Sequence, residues 1–91
     1  MAVFAIVAKS NPAAVKAAVT QQYGANHYEF ASDVWFISDA GTTKDVADKL
    51  GITNGRISSL AVVLQITAYS GWAPAAAWTW LQQFPEVRPN G

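Results

Sequence analysis

The stretch AVFAIVAKSNP, residues 2–12, decides the fold because it joins a strand directly to a helix. Residues 2–8 are continuously apolar and rich in β-formers, which is typical of a central strand covered on both faces. The following polar residues predict a helix start, with Asn11 as the N-cap and Pro12 at the first helical position. The helix is expected to run up to a stop at Gly24.

The next segment reads as a β-hairpin. Residues 27–31 alternate polar and apolar side chains, as expected of an edge strand. Residues 34–38 predict a second strand, with a turn at Ser32-Asp33 between the two. A single long, bent strand is the alternative interpretation.

A second helix follows with a strong start signal. Thr42 can cap it, while Asp45, three residues later, can reach back to the cap amide. The spacing also predicts two surface ion pairs along this helix, Lys44 with Asp48 and Asp45 with Lys49.

The carboxyl-terminal part predicts a long fourth strand and a last helix. Residues 57–69 are strand-like almost throughout, which is long for a strand, so part of it is expected to project past the sheet. Pro74 starts a helix that ends at Phe84-Pro85. We therefore expect a single domain over residues 1–85 and a flexible tail over residues 86–91.

This order, β-α-β-β-α-β with an additional C-terminal helix, defines a ferredoxin-like α+β fold with an antiparallel sheet. Right-handed crossovers would place strands one and three in the centre and make them point the same way. The second and fourth strands become the edges.

If strands one and three are parallel, the first two helices start at one end of the sheet. Helix N-termini present free amides and partial positive charge, which suits an anion. The alternative is that these residues are ordinary caps and solvated lysines. The candidate ligand-binding residues are Lys9, Ser10, Thr42, Thr43, Lys44 and Arg56.

The last helix is apolar nearly all round, because Trp78 and Trp80 face almost opposite ways. We expect one side to cover the sheet and the other to meet a partner, most simply a second copy that also contacts the fourth strand. The alternative is that both tryptophans pack within one chain. Aromatics flanking Gly71 could stack a base or sugar, or else plug the core. The candidate interface residues are Tyr69, Trp72, Trp78, Trp80 and Phe84.

Composition disfavours several function classes. Six basic and six acidic residues give a formal net charge of zero, whereas proteins that bind nucleic acid through phosphates carry a basic excess. The absence of cysteine removes thiolate chemistry, and the single histidine, His27, disfavours a zinc site. His27 and Glu29 share a strand face but lack a third group, so no catalytic residue, metal or cofactor is predicted. No apolar run reaches membrane-spanning length, so we expect no membrane contact and a cytoplasmic location.

Two motifs resemble those of small, uncharacterised bacterial and phage proteins. Residues 41–52 match Gly-Thr-x-x-Asp-Val-x-Asp-Lys-Leu-Gly-Ile, and residues 69–74 match Tyr-x-Gly-x-Ala-Pro, followed by Trp-x-Trp at 78–80. An arginine often follows the glycine in that group, and Trp72 stands there instead. The topology is also distantly similar to Cas2-type proteins, which pair through terminal strands and whose nuclease members carry a metal-binding aspartate after strand one. Residues 8–11 here are Ala-Lys-Ser-Asn, so that metal chemistry is not implied.

The sequence thus favours a non-enzymatic binding or assembly module that acts as a homodimer. It would engage a protein or a small ligand through its aromatic C-terminal region, and a phage or mobile-element inhibitor would fit this size. One alternative is a Cas2-like metal-dependent nuclease or nucleotide-processing enzyme. Another is a sensor of an anion or nucleotide.

Overall fold

The apolar run at the start of the chain forms a central strand, as its composition predicts. The computed structural model describes residues 1–89 and shows an α+β domain with a four-stranded antiparallel sheet and three helices. The elements are β1 (Ala2–Ala8), α1 (Pro12–Tyr23), β2 (His27–Ala31), β3 (Val34–Asp39), α2 (Thr43–Leu50), β4 (Ala61–Ile66), β5 (Ala68–Tyr69), α3 (Ala75–Leu81) and β6 (Arg88–Pro89).

The strand order is β2-β3-β1-β4, so β1 and β3 are central and β2 and β4 lie at the edges. The predicted hairpin is confirmed, with β2 and β3 antiparallel on either side of a turn at Ser32-Asp33. Ala68–Tyr69 and Arg88–Pro89 form a separate two-stranded parallel ladder.

The two faces of the sheet carry separate clusters of apolar side chains. On the first face, α1 and α2 bury the larger cluster, which includes Phe4, Ile6, Trp35 and Ile37 at zero exposure. On the second face, α3 and the segment after it bury a smaller cluster around Val3. Its other members are Leu81 and Val87, with half-buried Phe36, Ile66, Tyr69, Trp78, Trp80 and Phe84 packed against them.

The prediction that β1 and β3 point the same way is wrong. Val3 pairs with Ser38 and Val7 with Val34, which is an antiparallel register. The reason is topological. The crossover through α1 makes β2 parallel to β1 but leaves a gap between them. The hairpin then returns β3 into that gap, where it is antiparallel to both neighbours. As a result, α1 and α2 start at opposite ends of the sheet.

The long fourth strand is also shorter than predicted. Ladder pairing covers Ala61–Ile66 and resumes in Ala68–Tyr69, while residues 57–60 form a loop. Side chains add to the backbone bonds there, because Ser59 Oγ donates to the carbonyl of Ser10, and the Leu60 amide donates to Ser10 Oγ at 2.9 Å. Ser58 has a positive φ of 51°, which no regular strand residue adopts.

Residues 86–89, the described part of the flexible tail predicted over residues 86–91, make several contacts with the rest of the chain. Val87 is buried in the second cluster. Glu86 forms an ion pair with the amino group of Met1, and the Arg88 amide donates to the carbonyl of Thr67 at 3.3 Å. Residues 90–91 of that predicted tail lie outside the described residues.

Candidate interaction surface

The six candidate ligand-binding residues are not brought together. Lys9 and Ser10 follow the end of β1, and Arg56 lies at the same end of the sheet, because its guanidinium donates to the carbonyl of Lys49 near the end of α2. Thr42, Thr43 and Lys44 follow β3. Since β1 and β3 are antiparallel, the two groups lie at opposite ends, about 20 Å apart along a strand of this length.

The polar groups at the start of α2 are already engaged within the chain. The predicted capping box is confirmed, with the Asp45 amide donating to Thr42 Oγ at 3.2 Å and the Thr42 amide donating to Asp45 Oδ2 at 2.9 Å. The predicted pair of Lys44 with Asp48 is also present, at 2.8 Å. Thr42 therefore serves as the helix cap and Lys44 as a member of a surface ion pair.

The start of α1 differs from the predicted cap. Asn11 has a left-handed backbone, with φ of 48°, and its side chain makes no capping hydrogen bond. Its amide Nδ2 instead donates to the carbonyl of Ile57 at 3.4 Å. Asparagine tolerates this conformation better than most residues, so Asn11 acts as a bend before Pro12.

A buried polar cluster joins α1, β3 and α2. Asp39 Oδ2 accepts from the Tyr23 hydroxyl at 2.9 Å and from Lys49 Nζ at 2.6 Å, while Oδ1 accepts from the Gly41 amide at 2.7 Å. The predicted pairing of Asp45 with Lys49 is therefore wrong, because the buried carboxylate of Asp39 takes the lysine.

The electrostatics of this cluster favour an ionised Asp39. Burial alone would raise the pKa of Asp39, but hydrogen bonds from Lys49, the Gly41 amide and Tyr23 hold that pKa below its ordinary value. Burial and the adjacent carboxylate raise the pKa of Tyr23 well above its ordinary value. Tyr23 and Lys49 both donate hydrogen bonds to Asp39, so the three side chains stabilise the packing of α1 and α2 against the end of β3.

The pair His27 and Glu29 is likewise occupied within the chain. Glu29 Oε1 accepts from Trp35 Nε1 at 3.2 Å and lies 3.5 Å from Lys16 Nζ. His27 Nδ1 contacts the carbonyl of Gly24. Among residues 1–89, no group of three or more His, Cys, Asp or Glu side chains is placed to hold a metal ion.

Four of the five candidate interface residues pack within the chain. Trp80 lies against Phe84, Phe36 and Tyr28, with ring centroids 4.7, 6.2 and 6.5 Å away. Trp78 stacks on Tyr69 at 5.4 Å. Both tryptophans remain half-buried, so each still offers part of its surface.

Trp72 is different, because its side chain is fully exposed. It stands at the rim of a cleft of about 270 Å³ between the second face of the sheet and α3. Phe30 and Phe36 form one wall and Trp78 the other, and the cleft is lined by apolar and small residues with no charged group. An aromatic side chain at an apolar rim is the kind of residue that anchors a partner.

The sequence interpretation missed the part of the second face that α3 leaves open. Val62 and Leu64 share this face with Val7 and Ala5, their partners on β1. Leu60, Val62 and Leu64 expose 65%, 53% and 54% of their surface. We call these three residues the uncovered patch.

The uncovered patch belongs to an uncharged stretch of unusual length. Residues 57–85 contain no Asp, Glu, Lys, Arg or His. Edge strands usually carry a charge or a proline that prevents pairing with other chains, and β4 carries neither. This absence of charge was the signal in the sequence that could have identified β4, rather than the tryptophans, as the unprotected element.

Comparison with known proteins does not assign a family. No protein-family model matches the chain. No curated protein matches its sequence at a significant level. The helices formed by residues 1–89 are all too short or too polar to cross a bilayer.

Proposed function

We propose that this chain is a non-enzymatic binding module that acts as a homodimer, built on a ferredoxin-like arrangement of its sheet. The strand order β2-β3-β1-β4 and the antiparallel pairing support that arrangement. The observation that carries the proposed function is the uncovered patch on an edge strand without charges. A monomer would leave this surface in water, where it has no favourable contact.

The dimer contact involves β4 rather than the face of α3. Trp78 and Trp80 already lie in the second cluster, whereas Leu60, Val62 and Leu64, on or next to β4, still expose more than half of their surface. Burial of apolar surface stabilises association by about 25 cal/mol per Å² before the costs of ordering are subtracted.

Light scattering on the purified chain tests the dimer, which should have twice the 9.7 kDa mass of one chain. Leu64→Lys should weaken association at least tenfold, or about 1.4 kcal/mol, because it places a charge in an apolar contact. Thr20→Lys is the matched control, since it adds the same charge to an exposed position on α1. A monomeric wild-type chain at high micromolar concentration would refute the homodimer.

The cleft beside Trp72 is the proposed binding site for a partner, an uncharged apolar or aromatic segment of another protein. Its walls offer aromatic surface and no charge to pair with an anion. This role fits an inhibitor carried by a phage or mobile element, which acts by occupying a surface of its target.

Indole can serve as a probe of this cleft in an NMR titration. Backbone amide shifts should be concentrated at Ala73 and Ala77, which line the cleft, and should weaken in Trp72→Ala. Shifts centred instead on Ala14 and Ala17, which line a separate groove between α1 and α2, would contradict this binding site.

A further inference from the structure

We propose that the two copies join their sheets edge to edge, with β4 of one copy pairing antiparallel to β4 of the other about a two-fold axis at Val63. The inference rests on the proposed homodimer and specifies its geometry. Two four-stranded sheets would become one sheet of eight strands. Such pairing requires backbone groups of β4 that face outward and are free to bond.

The backbone of β4 has an inner and an outer side. The Lys9 amide donates to the carbonyl of Leu60 at 2.7 Å, so the backbone groups of Leu60 face β1. Successive residues of a strand alternate, hence Val62 and Leu64 also face β1. The amides and carbonyls of Ala61, Val63 and Gln65 therefore point away from the sheet.

The outer side of β4 is open over residues 61–65. Within residues 1–89, β1 is the strand that pairs with β4. The next outward carbonyl, that of Thr67, is already taken by the Arg88 amide at 3.3 Å. β6 thus closes this side beyond Thr67 and leaves residues 61–65, which we call the open edge.

The open edge is complementary to itself. A two-fold axis at Val63 places Val63 opposite its own copy and Ala61 opposite Gln65 of the second copy. All three of these residues present outward groups, so the pairing forms about six backbone hydrogen bonds. A shift by one residue would place outward groups opposite inward ones, and a shift by two would leave only about four of these bonds within residues 61–65, so the register centred on Val63 forms the most bonds.

The same register buries two members of the uncovered patch, Val62 and Leu64. Val62 comes to lie opposite Leu64 of the second copy, at a position without ladder bonds, where Cα atoms approach to about 4.5 Å. These two side chains, each more than half exposed in one copy, cover one another on the second face. β4 itself contributes no charge to the contact.

The symmetry also positions the two clefts. Edge-to-edge pairing puts the two-fold axis perpendicular to the sheet, so both copies of α3 lie on one side and all copies of α1 and α2 on the other. The two clefts then flank an apolar floor formed by Ala5, Val7 and their neighbours on β4. A partner could therefore contact both clefts at once.

Engineered cysteines test the register directly, since the chain has none of its own. The double variant Val62→Cys, Leu64→Cys should form a covalent dimer under mild oxidation, because the paired Cα atoms lie within disulfide range. On a non-reducing gel the main band should move from 9.7 kDa to twice that mass. Each single variant should stay at the position of one chain, because copies of the same residue would lie about 8 Å apart.

A proline variant tests the backbone bonds. Gln65→Pro removes an outward amide from an exposed residue, which an edge strand tolerates but a paired strand does not. It should weaken dimerisation at least tenfold relative to the matched control Gln65→Ala. A circular dichroism spectrum like that of the control would show that the proline chain remains folded, and the cysteine test does not depend on it.

The outcomes separate this inference from the proposed function. A wild-type dimer whose double-cysteine variant does not cross-link, or whose single variants cross-link as readily, would retain the homodimer and overturn edge-to-edge pairing. A wild-type monomer would overturn both. Cross-linking to a different protein at this edge, with no self-cross-link, would replace the second copy by another chain.

Discussion

At the scale of the residue, Asp39 shows how one buried carboxylate organises three elements. It accepts hydrogen bonds from Tyr23, Lys49 and the Gly41 amide, and so ties α1, α2 and the end of β3 together. A carboxylate that is stabilised in this way keeps its charge to a lower pH than a free one. The fold should therefore depend on pH through this residue.

We expect Asp39→Asn to lower the free energy of unfolding at pH 7 by about 1–3 kcal/mol, because it weakens the charge-assisted bonds that the buried carboxylate accepts from its three partners. The folded pKa of Asp39 is lowered, so its contribution is complete above the ordinary pKa of about 4 and is lost as the pH falls through the folded pKa. Urea unfolding between pH 2.5 and 7 should thus show a shallower acid loss in Asp39→Asn than in the wild type. The exposed control Asp33→Asn should keep the wild-type profile, and an equally steep profile in Asp39→Asn would contradict this account.

The tryptophans offer a second test at this scale. Trp80→Ala should cost up to about 3 kcal/mol in unfolding free energy, since it removes a half-buried ring from three aromatic neighbours. Trp72→Ala, at a fully exposed site, should stay within about 0.5 kcal/mol of the wild type. Denaturant unfolding measures both, and equal losses would mean that Trp72 also packs against the chain.

At the scale of the element, the start of α2 and the presence of β4 were predictable, but the limits of β4 were not. The signals of α2 are local, since Thr42 and Asp45 reach each other across one turn. The limits of β4 depend on contacts with Ser10, which is about 50 residues away in sequence. Asn11 was misinterpreted for a related reason, because the sequence does not reveal whether an asparagine will cap or bend the chain.

The candidate interaction surface was likewise predictable where its signals are local in sequence, and not where they depend on how distant elements pack. The aromatic content of α3 was visible in the sequence, but its packing against Phe36 and Tyr28 required the β2-β3 hairpin to be placed in space. The opposite directions of β1 and β3 separated the helix starts that the sequence interpretation had joined.

For α2 we expect Thr42→Ala to cost about 1 kcal/mol in unfolding free energy, because the Asp45 amide loses its acceptor. Thr42→Ser retains the hydroxyl and should remain close to the wild type. Thermal or urea unfolding of the two variants provides the measurement. A harmless Thr42→Ala would show that the capping box contributes little.

At the scale of the whole molecule, charge and apolar surface are segregated along the chain. Apart from Glu86 and Arg88, every charged side chain precedes residue 57, and the proposed contact surface lies in the uncharged part. Association through such a surface is driven by the removal of apolar groups from water rather than by ion pairing.

The dimer dissociation constant should therefore change by less than about twofold between 50 and 500 mM sodium chloride, since there are no contact charges to screen. Sodium sulfate, which strengthens the burial of apolar groups, should tighten the dimer. Sedimentation equilibrium across both salts checks this. Dissociation by sodium chloride would point instead to a contact built on the charged residues of α1 and α2.

The opposed directions of α1 and α2 also bear on how quickly two molecules find each other. Each end of the sheet holds the start of one of these helices and the end of the other, so their macrodipoles largely cancel. With equal numbers of acidic and basic residues, the molecule has little long-range field to guide an approaching partner. Its encounters should proceed at the unsteered rate, about 10⁵–10⁶ M⁻¹s⁻¹, and any high affinity would have to come from slow release.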